Sequence, residues 1–252
     1  MGRREEIIAE IAVLESHIAS KKIINNASYG KLGNKYSKLY SPNLLIQTTM
    51  TGQLSLLMLI EQLGNRVVSA NTDGILLYYP NHEKTWVRSV VAWWENITRY
   101  EMEYTPYKSY HRRDVNNYLA VKEKGHKGKG CFAKTSLSKN PANEVIYKAV
   151  IAKFVDGKDI ETFIRNHKTV MDFTSLRTVR GGAVSSGIPY GKSIRWYWST
   201  ESKVSIYYQK SGNIVPDTDS SKLIMDLPNV LPADIDYNRY IESAKKLYTK
   251  IK

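Results

Sequence analysis

The sequence predicts an α+β fold, an antiparallel sheet with helices packed on it. Two patterns lead there. Apolar residues recur at helical spacing near the N-terminus and again in the second half, whereas between them the period shortens to strict alternation around tight turns. A further alternating pair beyond a glycine-rich break extends the same mixture towards the C-terminus.

The elements follow in chain order. Residues 4–31 set Ile7, Ile8, Ile11, Leu14, Ile18 and Ile23 at helical spacing with charges between them, which predicts one long amphipathic helix ending near Gly30 or Gly33. Leu54, Leu56, Leu57, Leu59 and Ile60 predict a second helix from about Thr48 to Leu63, closed by Gly64-Asn65. RVVSA, NTDG and ILLYY then read as two short strands around a turn. Trp86, Val90, Trp93, Trp94 and Ile97 mark another helix, and MEYTPY and NNYLAVKE read as further antiparallel strands. KEKGHKGKGCFAK, residues 122–134, breaks the alternation and reads as a flexible basic loop. NEVIYKAVIAKFVDG and DIETFIRNHKTV predict two helices. After a break at residues 180–191 come the alternating pair SIRWYWS and KVSIYYQ, and DYNRYIESAKKLYTKIK predicts a basic terminal helix.

Composition narrows the function classes. The 252 residues are 42% apolar and 11% aromatic, which suits a packed fold rather than a disordered chain. Thirty-seven Lys and Arg against 24 Asp and Glu give a net charge of +13, which points to a polyanionic partner, either nucleic acid or an anionic membrane. The most apolar run, LSLLMLIEQL at 54–63, is too short to span a bilayer, and MGRREEII lacks the apolar core of a signal peptide, so no membrane partner is expected. Cys131 is the only cysteine, which excludes an intramolecular disulfide and a cysteine-rich zinc site and fits a cytoplasmic location.

Within the first helix, KIINNASYGKLG places Lys22, Asn26 and Tyr29 at i, i+4 and i+7, so a cation, an amide and a phenol share one face. Lys22-x-x-x-Asn26-Ala27-x-Tyr29-Gly30 resembles motif B of family B DNA polymerases of phage and viral type, K-x-x-x-N-S-x-Y-G, with Ala27 in place of Ser. The resemblance implies a fingers helix in which Lys22 contacts the triphosphate of an incoming dNTP while Asn26, Tyr29 and Gly30 border the nucleotide pocket. A long ammonium suits phosphate oxygens, and an aromatic ring packs on sugar or base.

About forty residues on, SANTDGILLYY is similar to motif C of that family, Y-x-D-T-D-S between two apolar strands. Asn71 stands for the first Asp and Gly74 for the Ser, whereas Asp73, the carboxylate the family assigns to its two catalytic metals, is retained. The resemblance therefore implies Asp73 as catalytic residue and metal ligand for Mg²⁺, with Asn71 offering an oxygen but no charge. A literal DTDS also occurs at Asp217–Ser220. No apolar strand runs into it, so it reads as a surface turn.

A third element, K-x-Y, tracks the primer strand in the family. Its counterpart is Asn116-Asn117-Tyr118, where the Lys is absent and Lys122, Lys124, Lys127 and Lys129 of the basic loop follow as replacement charge, with glycines that let backbone N–H groups approach phosphates. Asn116, Tyr118 and the four lysines are thereby implied as contacts to primer–template DNA. The family's motif A, which brings the other metal-binding carboxylate, precedes motif B by many tens of residues, and none of the 21 residues before Lys22 resembles it. The resemblance thus implies a fingers helix at 1–43, an antiparallel palm sheet at 44–130 and a mainly helical thumb at 131–252. It also implies a second polypeptide supplying motif A, the exonuclease and the second carboxylate for two Mg²⁺ ions. The other reading of the same charge is a non-catalytic nucleic-acid-binding accessory protein.

Overall fold

A computed structural model of the chain describes residues 2–134, 136 and 140–251; Met1 and Lys252, at the two ends of the expected elements, lie outside the described residues. The chain divides into two compact units, residues 1–103 and 104–252, and both mix helices with small antiparallel sheets, which agrees with the expected α+β class.

The first unit opens with α1, Arg3–Leu32, which the backbone N–H of Gly33 closes on the Gly30 carbonyl. None of its residues is buried: Ile7 is 49% exposed and Ile23 68%. Helix α2, Pro42–Leu63, begins six residues before the expected start, because Ser41 caps Leu44 N–H and Pro42 sits where a missing N–H costs nothing. The helix is therefore longer than the apolar run at 54–63, and by length and composition alone it is long enough to cross a bilayer. Strands β1, Val67–Asn71, and β2, Gly74–Leu77, form the expected hairpin. Helix α3, Lys84–Thr98, follows.

Leu59 and Leu63 of α2 and Val87, Val91 and Trp94 of α3 make the core of this unit, with Val67, Ile75 and Leu77 of the hairpin packed against it. The Trp94 indole N–H donates to the Ser55 carbonyl at 2.6 Å, locking α3 to α2. The buried stripe of α3 is displaced from the expected one: Trp86, Trp93 and Ile97 stay exposed. Trp86 lies under the Arg66 guanidinium, 4.3 Å from its ring centre, and Arg66 also holds Glu83.

The second unit begins with β3, Ser109–Asp114, β4, Asn117–Val121, and β5, His126–Lys129, an antiparallel meander. Two segments differ from the expected pattern. The strand expected at MEYTPY lies further along, at β3, and residues 122–134 are not a flexible loop but a turn, the strand β5 and a 3-10 turn at Gly130–Phe132. Helices α4, Glu144–Asp156, and α5, Ile160–Asn166, follow. Gly157 at φ +71° ends the first, and the Asp159 carboxylate caps Thr162 N–H to start the second.

Between α5 and α6, Tyr237–Ile251, lie two three-stranded antiparallel sheets in place of the single strand pair expected. One orders β11, Ser221–Leu223, β9, Ser193–Trp198, and β6, Ser175–Thr178; the other orders β10, Tyr207–Tyr208, β7, Ala183–Ser185, and β8, Ile188–Tyr190. SIRWYWS and KVSIYYQ therefore sit in different sheets. The reason is the turn at Ser186-Gly187, both in positive φ, which makes the glycine-rich break itself a hairpin. The main core joins β4, α4, α5 and α6, with Leu119, Val145, Ala149, Ile164, Phe173 and Tyr240 fully buried. The Tyr240 hydroxyl donates to the Phe173 carbonyl at 2.5 Å and accepts from Trp198 N–H at 3.1 Å, tying α6 to β9.

Candidate functional site

Asp73 stands at the tip of the β1–β2 hairpin in a two-residue loop, with Asn71 and Gly74 paired across it. Thr72 takes φ +49°, an unusual choice for a β-branched residue where primed turns favour Gly or Asn. The Asp73 N–H folds back on the Asn71 carbonyl at 2.6 Å, and the Thr72 hydroxyl donates to Asn71 Oδ1 at 3.0 Å. Asn71 thus organises the turn with its side-chain oxygen, which an aspartate would also provide. The Asp73 carboxylate is exposed, and among the described residues no group of three or more His, Cys, Asp or Glu gathers into a metal-binding cluster. A single exposed carboxylate supplies one hard oxygen ligand to a Mg²⁺ ion and needs further oxygen ligands from elsewhere.

Lys22, Asn26 and Tyr29 share a face of α1, all exposed. The Tyr29 hydroxyl meets the Thr49 hydroxyl of α2 at 2.6 Å. One turn on, a Cβ at Gly33 would lie 3.2 Å from Leu45 Cδ2, so the end of α1 is where it meets α2. The space beside Gly30 is open. Among the described residues no hydrogen bond or ion pair joins the side chains of Lys22 or Asn26 to the hairpin that carries Asp73.

The implied DNA contacts lie in the second unit and separate into two places. In register, Arg112, Tyr118 and Lys129 form one cross-strand row, and Tyr110, Ala120 and Lys127 the next, so these side chains share a face of the meander. Tyr118 stacks on Tyr110 with ring centres 4.9 Å apart, and Tyr107 continues the aromatic line. Burial pushes the Tyr110 phenol up to about 12, and the neighbouring Tyr118 adds to it. On the opposite face, Leu119 and Val121 enter the core and His111 stacks on Phe154. Lys122 and Lys124 belong to the turn at the other end of β4, roughly 14 Å from Tyr118 at a strand's rise of about 3.4 Å per residue.

Asn116 is part of the β3–β4 turn, where its N–H donates to the Asp114 carboxylate. The side chain of Asn117 is committed to structure: its amide donates to Asp114, and its oxygen accepts from Cys131 N–H at 2.9 Å. The glycines of this segment do not hold space open for phosphate. A Cβ at Gly128 would fall 1.8 Å from the Phe132 carbonyl oxygen, and one at Gly130 2.3 Å from Asn116 O and Asn117 Oδ1, so both serve the return of the chain on itself. Tyr110 and Arg112 are absent from the sequence-derived set because MEYTPY draws the expected strand away from them, although the alternation in SYHRRD places both on one side.

The literal DTDS is more than a surface turn. Thr218 is fully buried, its hydroxyl donating to the Val215 carbonyl at 2.7 Å and accepting from Ile206 N–H at 3.1 Å. The indole N–H groups of Trp196 and Trp198 both donate to the Asp217 carbonyl. Arg239 donates to the Asp219 carbonyl at 2.6 Å and its carboxylate at 2.9 Å, which holds that carboxyl below the usual range. The string is a structural knot whose second carboxylate is already paired.

No protein-family model matches the chain, and no curated protein matches it either.

Proposed function

We propose that the chain is the C-terminal part of a split family B DNA polymerase, which transfers a nucleotide from dNTP to a primer 3′-OH once a second polypeptide supplies motif A. The observation that carries this reading is the pairing, within one compact unit, of a K-x-x-x-N-A-x-Y-G helix with a free carboxylate at the tip of an antiparallel hairpin. Lys22 then neutralises triphosphate charge, Asn26 and Tyr29 border the nucleotide next to the open space at Gly30, and Asp73 holds metal. The Tyr118–Lys127–Lys129 face of the meander, with Asn116 beside it and Lys122 and Lys124 at its far turn, receives the primer–template backbone. Two Mg²⁺ ions, when bound, supply charge stabilisation at the transferred phosphoryl group. Asp73 provides one carboxylate, and the motif A partner provides the other.

The uncovered apolar stripe of α1 supports a partner chain, since contiguous exposed apolar surface of this kind marks association sites. Co-expression with a polypeptide carrying motif A should give a heterodimer by size exclusion that extends a primer. A chain that stays apart from that polypeptide would contradict the split-enzyme reading.

The second reading, a nucleic-acid-binding accessory protein with a polymerase-like palm, is favoured by the +13 charge and the aromatic-basic sheet face, neither of which needs chemistry. It predicts primer–template binding without extension even when the motif A partner is bound.

A further inference from the structure

From Phe173 to Thr200 the chain contains no Asp or Glu but carries Arg177, Arg180, Lys192 and Arg195, and the next segment adds Lys203 and Lys210 against a single acid, Glu201, which pairs with Lys222. The fold gathers three of these cations. Val179 N–H donates to the Lys192 carbonyl at 2.6 Å, continuing the Thr178–Ser193 register, so Lys192 lies opposite Val179, the residue before Arg180. Gln209 N–H donates to the Gly182 carbonyl at 3.0 Å and brings in Lys210, whose Cγ and Cδ would lie 2.9 Å from a Cβ at Gly181. Gly181 and Gly182 both take positive φ, +86° and +90°, so this crossing of three segments is built on backbone only glycine adopts readily. Arg180, Lys192 and Lys210 are exposed, and none forms an ion pair among the described residues.

We propose that this cluster, at the open end of the β7–β8 hairpin, is a second binding surface for the phosphate backbone of nucleic acid. Three cations that form no ion pair among the described residues, carried by one crossing of segments, suit closely spaced phosphates, which bind through charge rather than base identity. A membrane surface fits less well. The exposed apolar residues of the hairpin, Ile188 and Pro189, lie just after its Ser186-Gly187 tip, towards the other end from the cations. The inference does not rest on the polymerase reading, because an accessory protein would use the same surface.

The test is a salt titration of the full chain on a fluorescein-labelled DNA duplex, comparing wild type with the triple variant Arg180→Gln, Lys192→Gln, Lys210→Gln, which keeps the stem over Gly181. Expected are at least about a tenfold fall in affinity at moderate salt and a log–log salt slope shallower by about 0.9 for each phosphate that the variant no longer neutralises. The charge-preserving triple, Arg180→Lys, Lys192→Arg, Lys210→Arg, should bind as wild type, which separates charge from folding. Lys127→Ala with Lys129→Ala reports on the meander face independently. Wild-type affinity and slope in the Gln triple would overturn the proposal, and so would a loss confined to phosphatidylserine vesicles with duplex binding intact.

Discussion

The hydroxyl of Tyr29 lies 2.6 Å from that of Thr49, so the helix carrying Lys22 and Asn26 is pinned to α2 through the same phenol that the proposed nucleotide pocket would use as a wall. In the proposed pocket the ring would face the nucleotide while the oxygen anchors the helix. Tyr29→Phe and Thr49→Val should each raise the KM for dNTP in the reconstituted enzyme by about 2–10-fold, the range for removing one neutral hydrogen bond. Tyr29→Ala, which removes the ring as well, should cost more. Steady-state nucleotide titrations on the three variants read this directly.

Helix α1 exposes Ile7, Ile11, Leu14 and Ile18 together, and each aliphatic side chain buried by a partner stabilises the complex by about 1.5–3 kcal/mol. Ile11→Asp with Leu14→Asp should leave the isolated chain folded, because neither residue is buried, and abolish its association with the motif A polypeptide. Circular dichroism and size exclusion together check both halves.

Arg239 serves two neighbours, donating to Asp219 and covering Trp198 with its guanidinium 4.2 Å from the ring centre. Arg239→Ala should destabilise the second unit by about 1–3 kcal/mol, since it removes a charged hydrogen-bond pair and a cation–π interaction. Thermal melts should show the drop, with extension activity per folded molecule unchanged.

Asp234 contributes to acid stability in the same unit. Burial favours its neutral form, but hydrogen bonds from Lys222, Ser199 and Tyr197 outweigh that and lower its pKa to about 2. Because the folded value lies below the unfolded one, about 3.9, the carboxylate stabilises the fold above about pH 4 and that contribution fades as pH falls towards about 2. Asp234→Asn should lower the melting temperature at about pH 7 and flatten its dependence on pH between about 4 and 2.

Much of the fold is legible in the sequence where one physical signal dominates. The extent of α1, the Gly157 stop of α4 and the β1–β2 hairpin all follow from periodicity and turn chemistry, and Asp73 stands in the turn that NTDG marks. The misses have equally specific causes. The start of α2 depends on the Ser41-Pro42 cap, which outweighs the polar residues Gln47, Thr48 and Thr49 that favour a later one. Residues 122–134 read as a loop because lysines and glycines mask a strand. Yet Gly128 and Gly130 are required by close approaches to Phe132, Asn116 and Asn117, packing that no local pattern reveals. The burial of Thr218 depends likewise on Ile206 and Val215.

The two aspartate strings give the most direct measurement: single-nucleotide primer extension against Mg²⁺ concentration in the reconstituted complex. Asp73→Asn should abolish incorporation with primer–template affinity nearly unchanged, because in the proposed site the carboxylate would act on metal and not on duplex. Asp219→Asn should incorporate as wild type, since its carboxylate is engaged by Arg239. Asn71→Asp should keep activity and shift the Mg²⁺ dependence to lower concentration, because the Thr72 hydroxyl can still donate to it while a second anion joins Asp73. Full incorporation by Asp73→Asn, or loss of incorporation only when residues 217–220 are changed, would contradict the assignment.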